Sequence, residues 1–193
     1  MTIKYKIIDN FLSESDFIEM NNNYIQSDFS WRYISKQVDS SPNLSKEKEN
    51  LLDKVTDIKE APPIHDWVLM HKLLLQNITS SSLSLFTKIL EKIDPFIFWR
   101  IQANMTVQQE KKIRSKFHID YEGKPLENTS LLTSIFYMNT TNGPTLLEDG
   151  TEIECKVNRL VTFPYNTFHA VVLCTDQPSR MVINLNYIKE DIL

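Results

Sequence analysis

Four histidines stand in the chain, at positions 65, 71, 118 and 169, and two of them have neighbours with which they could share an ion. His118 and Asp120 lie in KFHIDYEG. On a strand, residues two apart point to the same side, about 6 to 7 Å apart, so both side chains can reach one cation. His169, in FPYNTFHAVVL, comes 49 residues after Asp120, far enough to return on a neighbouring strand. Two imidazoles and one carboxylate on one face form the facial triad of non-haem Fe(II), which leaves coordination positions open. An H-x-D dipeptide is common by chance and takes its weight from what surrounds it. His65 and His71 are six residues apart on a segment that reads as helical, roughly 240° around its axis, and are expected to be surface or hydrogen-bonded core histidines.

Eleven residues after His169, Arg180 opens RMVINLNYI. The intervening Thr175 to Ser179, with Pro178, can turn the chain back and set Arg180 beside His169. A guanidinium aimed into a barrel is an expensive buried charge unless it meets an anion, and its planar fork suits a carboxylate. Glu152, Glu154 or Asp176 could supply that carboxylate, or Arg180 could reach water along its stem. With the three candidate ligands nearby, a carboxylate on a ligand is the expected partner.

The elements that must position these groups change character along the chain. The opening IKYKIIDNF reads as a strand, and Ser13 with Asp16 as a capping box for a helix from about Glu14 to Tyr24. Residues 38 to 50 are polar and lead into a charged helix near Lys46 to Val55. Trp67, Met70, Leu74 and Ile78 recur at helical spacing, which predicts a helix over 65–78; another helix runs from Ser82 to Lys92 and stops at Pro95, and Trp31 and Trp67 read as core anchors of this helical half. Beyond Pro95, FIFWRIQANMTV, LLTSIFYMN, RLVTFPY, FHAVVLC and MVINLNYI alternate at period two as short strands. Helices first and strands last predict an α+β fold in one domain over 1–193. Helical support spans about 10–93 and an antiparallel barrel core about 96–190.

Composition removes several chemistries. With 193 residues a single domain can bury ~70% of the surface its unfolded chain exposes, and it needs no disulfide. The net charge of −4 offers no broad field for phosphates, so nucleic acid is disfavoured as a partner. The run Lys111, Lys112, Arg114 and Lys116 is expected to be a solvated loop. The three glycines, Gly123, Gly143 and Gly150, fit no phosphate-binding loop and fall where a barrel has tight corners, while Asn142, Asn158 and Asn166 turn the chain elsewhere. Cys155 and Cys174 lack C-x-x-C spacing and read as buried, reduced thiols. With no secretory leader and no membrane span in the sequence, a cytoplasmic protein is expected.

H-I-D at 118–120, RLVTFPYNTFHAV at 159–171, the trailing Arg180 and the opening IIDNFLSESDF resemble the Fe(II)- and 2-oxoglutarate-dependent oxygenases, in their prolyl-4-hydroxylase-like branch. The likeness covers most of the chain and is weakest from 30 to 95. It implies a double-stranded β-helix, a jelly-roll or cupin-like barrel, with N-terminal supporting helices. It also implies Fe(II), 2-oxoglutarate and O2 as cofactors, with ascorbate as an optional addition. His118, Asp120 and His169 match the iron ligands, Arg180 the residue that holds the distal carboxylate of 2-oxoglutarate, and Tyr137 a hydroxyl that assists it. Asn184, four residues past Arg180, faces the same interior on a strand and is a candidate for the co-substrate pocket. Where relatives often read Ala-Asn-Tyr this chain has Ala103-Asn104-Met105, so Asn104 and Met105 are candidate substrate neighbours without the tyrosine. Asn158-Arg159-Leu160 stands where relatives often have Gly-Arg-Leu, and Asn tolerates the left-handed turn.

The activity this implies is hydroxylation of a C–H bond in a peptidyl proline, another amino-acid unit or a small metabolite, with release of succinate and carbon dioxide. Two alternatives stay open: a cupin-like metal-binding barrel that does not use 2-oxoglutarate or does not catalyse, and an oxidative nucleic-acid demethylase. Residues 38–50 and 106–116 are candidate lids.

Overall fold

The computed structural model describes residues 4–35, 44–62, 67–120 and 130–189. The chain opens with strand β1 (Lys6–Ile8) and helix α1 (Glu14–Gln26). Ser13 caps α1 as the sequence predicts: its hydroxyl accepts the Asp16 N–H, and it also donates to the Asp16 carboxylate. Next come β2 (Arg32–Ser35), α2 (Lys46–Thr56) capped by Ser45, β3 (Lys59–Glu60), β4 (Trp67–Leu75) and β5 (Ile78–Thr79). A 3-10 turn over Ser81–Phe86 runs into α3 (Thr87–Ile93), which ends on Asp94 in the left-handed region just before Pro95. Strands follow: β6 (Ile97–Val107), β7 (Ile113–Arg114), β8 (Ser130–Tyr137) and β9 (Thr141–Leu147). The last are β10 (Glu152–Cys155), β11 (Leu160–Pro164), β12 (His169–Val171) and β13 (Ser179–Lys189). No helix among the described residues is long and apolar enough to cross a membrane.

The helix expected over 65–78 is instead β4, a turn and β5. A register shift between Lys72 and Leu74 in the pairing of β4 with β6 breaks the period of two, and Gln76, at φ 53°, turns the chain back. A bulged strand followed by a hairpin spaces its apolar residues at three and four, which imitates a helix. His65 lies outside the described residues. His71 sits on β4, its Nδ1 on the Ser30 carbonyl at 2.6 Å and its Nε2 on the Ser80 hydroxyl at 2.8 Å, a hydrogen-bonded histidine as expected. Trp31 packs against the helix-side core.

The strands make two main sheets and a short parallel pair of β3 with β7. The larger runs β1-β11-β8-β13-β6-β4-β2, with β5 on β4, and the smaller runs β10-β9-β12. Alternation along β8 and β13 divides their side chains. Leu132, Phe136, Ile183, Leu185 and Tyr187 pack outward against Phe11, Met20, Phe86 and Ile89 of the helical layer. Ile135, Tyr137 and Val182 face inward against Leu147, Ile153 and Phe163. On the far side of the smaller sheet, Leu52 of α2 and Ile58 meet Phe117, Leu146, Ala170 and Val172. The result is a double-stranded β-helix: helices, large sheet, an interior, small sheet, and α2 outside it.

Two residues show how tightly the corners close. Asn158 is left-handed at φ 58°, and its side chain accepts from the Leu12 N–H and donates to the Leu12 carbonyl, which ties the lead-in to α1 to the start of β11. Asn166 also turns the chain as expected, in the Tyr165-Asn166 turn that the Thr167 N–H closes on the Pro164 carbonyl, though without positive φ, whereas Asn142 lies inside β9. At Gly143 a Cβ would lie 2.5 Å from the Val172 carbonyl oxygen, so only glycine lets β9 approach the strand beside it.

The basic run is a solvated loop only in part. Lys111 and Lys112 are exposed, but Arg114 is 1% exposed. Its Nε and Nη2 donate to Asp53 of α2 at 2.9 and 2.7 Å, and its guanidinium lies 4.8 Å from the Phe117 ring. Removing one partner of a buried pair costs about 3–5 kcal/mol, and a partly exposed Asp53 puts this pair at the low end. Arg114→Ala is expected to lower the melting temperature by about 6–12 °C, at 2–4 °C per kcal/mol for a chain of this size. Thermal unfolding followed by circular dichroism checks it.

Candidate metal centre

His118 and His169 face each other across an antiparallel bridge, each backbone N–H donating to the other's carbonyl at 3.0 Å. Each ring is anchored on the chain two residues before it: His118 Nδ1 lies 3.1 Å from the Lys116 carbonyl and His169 Nδ1 3.0 Å from the Thr167 carbonyl. A carbonyl can only accept, so each Nδ1 carries a proton, and in the neutral ring Nε2 keeps the lone pair. Both lone pairs look toward Asp120, whose Oδ1 is 3.9 Å from His118 Nε2 and 4.0 Å from His169 Nε2. The three ligand atoms lie within 4.8 Å of one another.

The charges suit cation binding. Burial, with the neighbouring His169 adding to it, pushes the His118 imidazole down to about 4, so it is neutral at pH 7. Burial alone would raise the Asp120 carboxyl. The Arg100 guanidinium, the two imidazoles and the Asn186 amide outweigh it and hold the group well below the usual carboxylate range. His169 Nε2 is buried and has no hydrogen-bond partner. Such a nitrogen is costly unless a proton donor or a cation meets it. Two imidazole nitrogens and a carboxylate fit a divalent transition-metal ion.

Beside this cluster, Arg180 of β13 is buried in the interior at 4% exposure. Its Nε donates to the Gly143 carbonyl at 2.8 Å and its Nη2 to the Thr145 hydroxyl at 2.9 Å, while its guanidinium rests 5.4 Å from the Tyr137 ring. No carboxylate among the described residues pairs with it: Glu154 approaches Arg159, and Asp176 accepts the Asn142 N–H. Tyr137 donates to Thr145 Oγ1 at 2.8 Å, and burial pushes its phenol up to about 12. It braces the threonine that meets Arg180.

His118, His169, Arg180 and Thr145 line one cleft of about 440 Å³, including its open mouth, with Asn104, Thr106 and Asn184. Asn184 thus shares the interior with Arg180. Asn104 lines the cleft, but Met105 alternates to the other face, where it pairs with Leu69 and with Met181 on the helix side. Sequence reasoning missed Arg100, Thr106, Thr133, Thr145 and Asn186. One signal was present: in RIQANMT every second residue, Arg100, Gln102, Asn104 and Thr106, is polar, which marks the interior face of β6 as a site wall.

No protein-family model matches the chain, and no curated protein sequence matches it. Solved structures do. A viral collagen prolyl hydroxylase from Paramecium bursaria Chlorella virus-1, in its 2-oxoglutarate complex, superposes with a TM-score of 0.55 at 14% identity, over 96% of each chain. A prolyl hydroxylase from Trichoplax adhaerens, bound to a peptide of hypoxia-inducible factor, gives 0.56 at 16% identity over 97% of this chain and 84% of that one. The non-haem α-ketoglutarate-dependent epimerase of nogalamycin biosynthesis gives 0.58 at 7% identity over 97% and 78%. At these identities the likeness is one of fold: the chain carries the double-stranded β-helix of the Fe(II)- and 2-oxoglutarate-dependent oxygenases.

Proposed function

We propose that the protein is an Fe(II)- and 2-oxoglutarate-dependent dioxygenase that hydroxylates a peptidyl proline or another amino-acid C–H bond, releasing succinate and carbon dioxide. One observation carries this reading. Among the described residues, the buried side-chain polar atoms without a partner are Thr106 Oγ1, His169 Nε2 and Asn184 Oδ1. All three residues border the cleft that holds Arg180 without a carboxylate. A protein that builds an uncompensated cation and three unpaired polar atoms around one cleft has built it for a polar, anionic ligand.

In this reading His118, Asp120 and His169 hold Fe(II), which when bound supplies oxygen activation to the site. Arg180, held by the Gly143 carbonyl and the Thr145 hydroxyl, offers its free edge to the distal carboxylate of 2-oxoglutarate. Tyr137 keeps the Thr145 hydroxyl oriented, and Val68, Ile135 and Val182 exclude water around the co-substrate's methylene groups. Asn104 and Thr106 stand toward the primary substrate. The solved neighbours that act on proline, one with a peptide bound, support an amino-acid substrate, and the epimerase of the same fold keeps a small metabolite in play. The free, buried thiols Cys155 and Cys174 suit a reducing, cytoplasmic setting.

Succinate release with Fe(II), 2-oxoglutarate and ascorbate, across proline peptides, free amino acids and single-stranded DNA carrying methylated bases, tests this. Turnover confined to peptides or amino acids is expected. Turnover only on nucleic acid would replace the substrate class, and no succinate with any addition, or without it, would overturn the oxygenase reading.

A further inference from the structure

We infer that Arg100 is a resident counter-ion of the candidate metal centre, holding Asp120 in place before a metal arrives and loosening the site's grip on cations afterwards. The inference rests on reading His118, Asp120 and His169 as metal ligands. Arg100 Nη2 meets Asp120 Oδ1 at 2.7 Å, and this is the same oxygen that faces both Nε2 atoms. The other oxygen, Oδ2, accepts from Asn186 Nδ2 at 3.2 Å. Arg100 Nε donates to Asn186 Oδ1 at 2.9 Å, and Asn186 Nδ2 also reaches Thr133 Oγ1 at 3.0 Å. Arg100, Asn186 and Asp120 therefore close a ring across β6, β13 and the H-x-D segment, with Thr133 of β8 as its anchor.

Two consequences follow. The Asp120 side chain is 3% exposed, so without metal its carboxylate would be an uncompensated buried charge; Arg100 compensates it and fixes its plane. A cation on Oδ1 must share that oxygen with a guanidinium that cannot lose its proton. The repulsion grows with the cation's charge, so Arg100 disfavours a trivalent ion more than a divalent one and biases the centre toward the ferrous state. Arg100 acts through Asp120 and is a positioning residue.

Manganese(II) titration of the full chain, followed by electron paramagnetic resonance, tests this on wild type, Arg100→Gln and Arg100→Lys. Arg100→Gln is expected to bind Mn(II) about tenfold tighter or more, because the repulsion between the guanidinium and the cation on one oxygen is gone, and to melt lower without metal. Arg100→Lys keeps the charge and is expected to stay within about threefold of wild type. In Fe-loaded protein the Fe(III)/Fe(II) potential falls in Arg100→Gln, by about 59 mV for each tenfold that ferric binding gains over ferrous. Folded Arg100→Gln that binds Mn(II) no tighter than wild type overturns the inference. Should that variant fail to fold, Arg100→Lys decides, and a loss of more than about tenfold contradicts the counter-ion role. Wild type that binds no Mn(II) defeats the metal-centre reading itself, whereas wild-type binding with an unmoved Arg100→Gln defeats this inference alone.

Discussion

Replacing Arg180 by methionine is expected to raise the 2-oxoglutarate concentration for half-maximal turnover by about 100-fold or more. Losing one partner of a buried, hydrogen-bonded charge pair costs about 2–5 kcal/mol. The same substitution should leave the ligand-free protein as stable as wild type or more so. Arg180 is a buried cation without a carboxylate among the described residues, and the desolvation of such an ion costs several kcal/mol. Methionine leaves the Gly143 carbonyl without its Arg180 donor, at about 1–3 kcal/mol, while the Thr145 hydroxyl keeps the donor from Tyr137. The opposite signs matter. A residue that merely braced the barrel would lose stability and ligand response together, whereas Arg180→Met is expected to keep its melting temperature and lose the thermal shift that 2-oxoglutarate gives wild type. Succinate kinetics and thermal melts with and without 2-oxoglutarate check both halves.

The second large effect is at His169. If a full set of protein ligands binds a divalent ion with about 10–16 kcal/mol, each contributes about 3 kcal/mol, so His169→Ala is expected to weaken metal binding by roughly 100-fold or more. The readout is thermal. A metal at 100 times its dissociation constant stabilises a protein by about 2.7 kcal/mol, or about 5–10 °C for a chain of this length. Wild type should show that rise with Mn(II), and His169→Ala should show none. The His169 ring also packs 5.1 Å from the Phe163 ring and 4.6 Å from His118, so truncation opens a void. Loss of the unpaired buried Nε2 offsets part of that cost, and the variant is expected to fold.

Arg180 and Asn184 were legible because that part of β13 keeps an undisturbed period of two, so both share a side. His118 and Asp120 lie outside the named strands, His118 on an isolated bridge to His169 and Asp120 at a bend, so the expected H-x-D strand did not form and only the spacing of these residues marked them. Met105 shows the same rule from the other direction: its neighbour Asn104 lines the cleft, and alternation sends Met105 to the helix side. Period failed where the backbone departed from it. The bulge between Lys72 and Leu74 made β4 look helical, and it lies in the stretch where the family resemblance was weakest. Short strands such as β10 and β3 offered too few residues for a pattern. The partners of buried charges were hidden for a different reason. Asp53 pairs with Arg114 from 61 residues away, and Arg100 reaches Asp120 across 20. Nothing local in a sequence separates such an arginine from a solvated one. The alternating polar residues of RIQANMT were the exception.

Anaerobic absorption spectroscopy of the purified protein reports directly on whether a metal on His118, Asp120 and His169 and a 2-oxo acid on Arg180 share one cleft. With Fe(II) and 2-oxoglutarate together, a visible charge-transfer band is expected, absent with either alone, absent in His169→Ala, and absent in Arg180→Met at the same 2-oxoglutarate concentration. Wild-type protein that shows no band while Fe(II) is demonstrably bound would contradict the co-substrate assignment, and failure to bind Fe(II) at all would contradict the whole account.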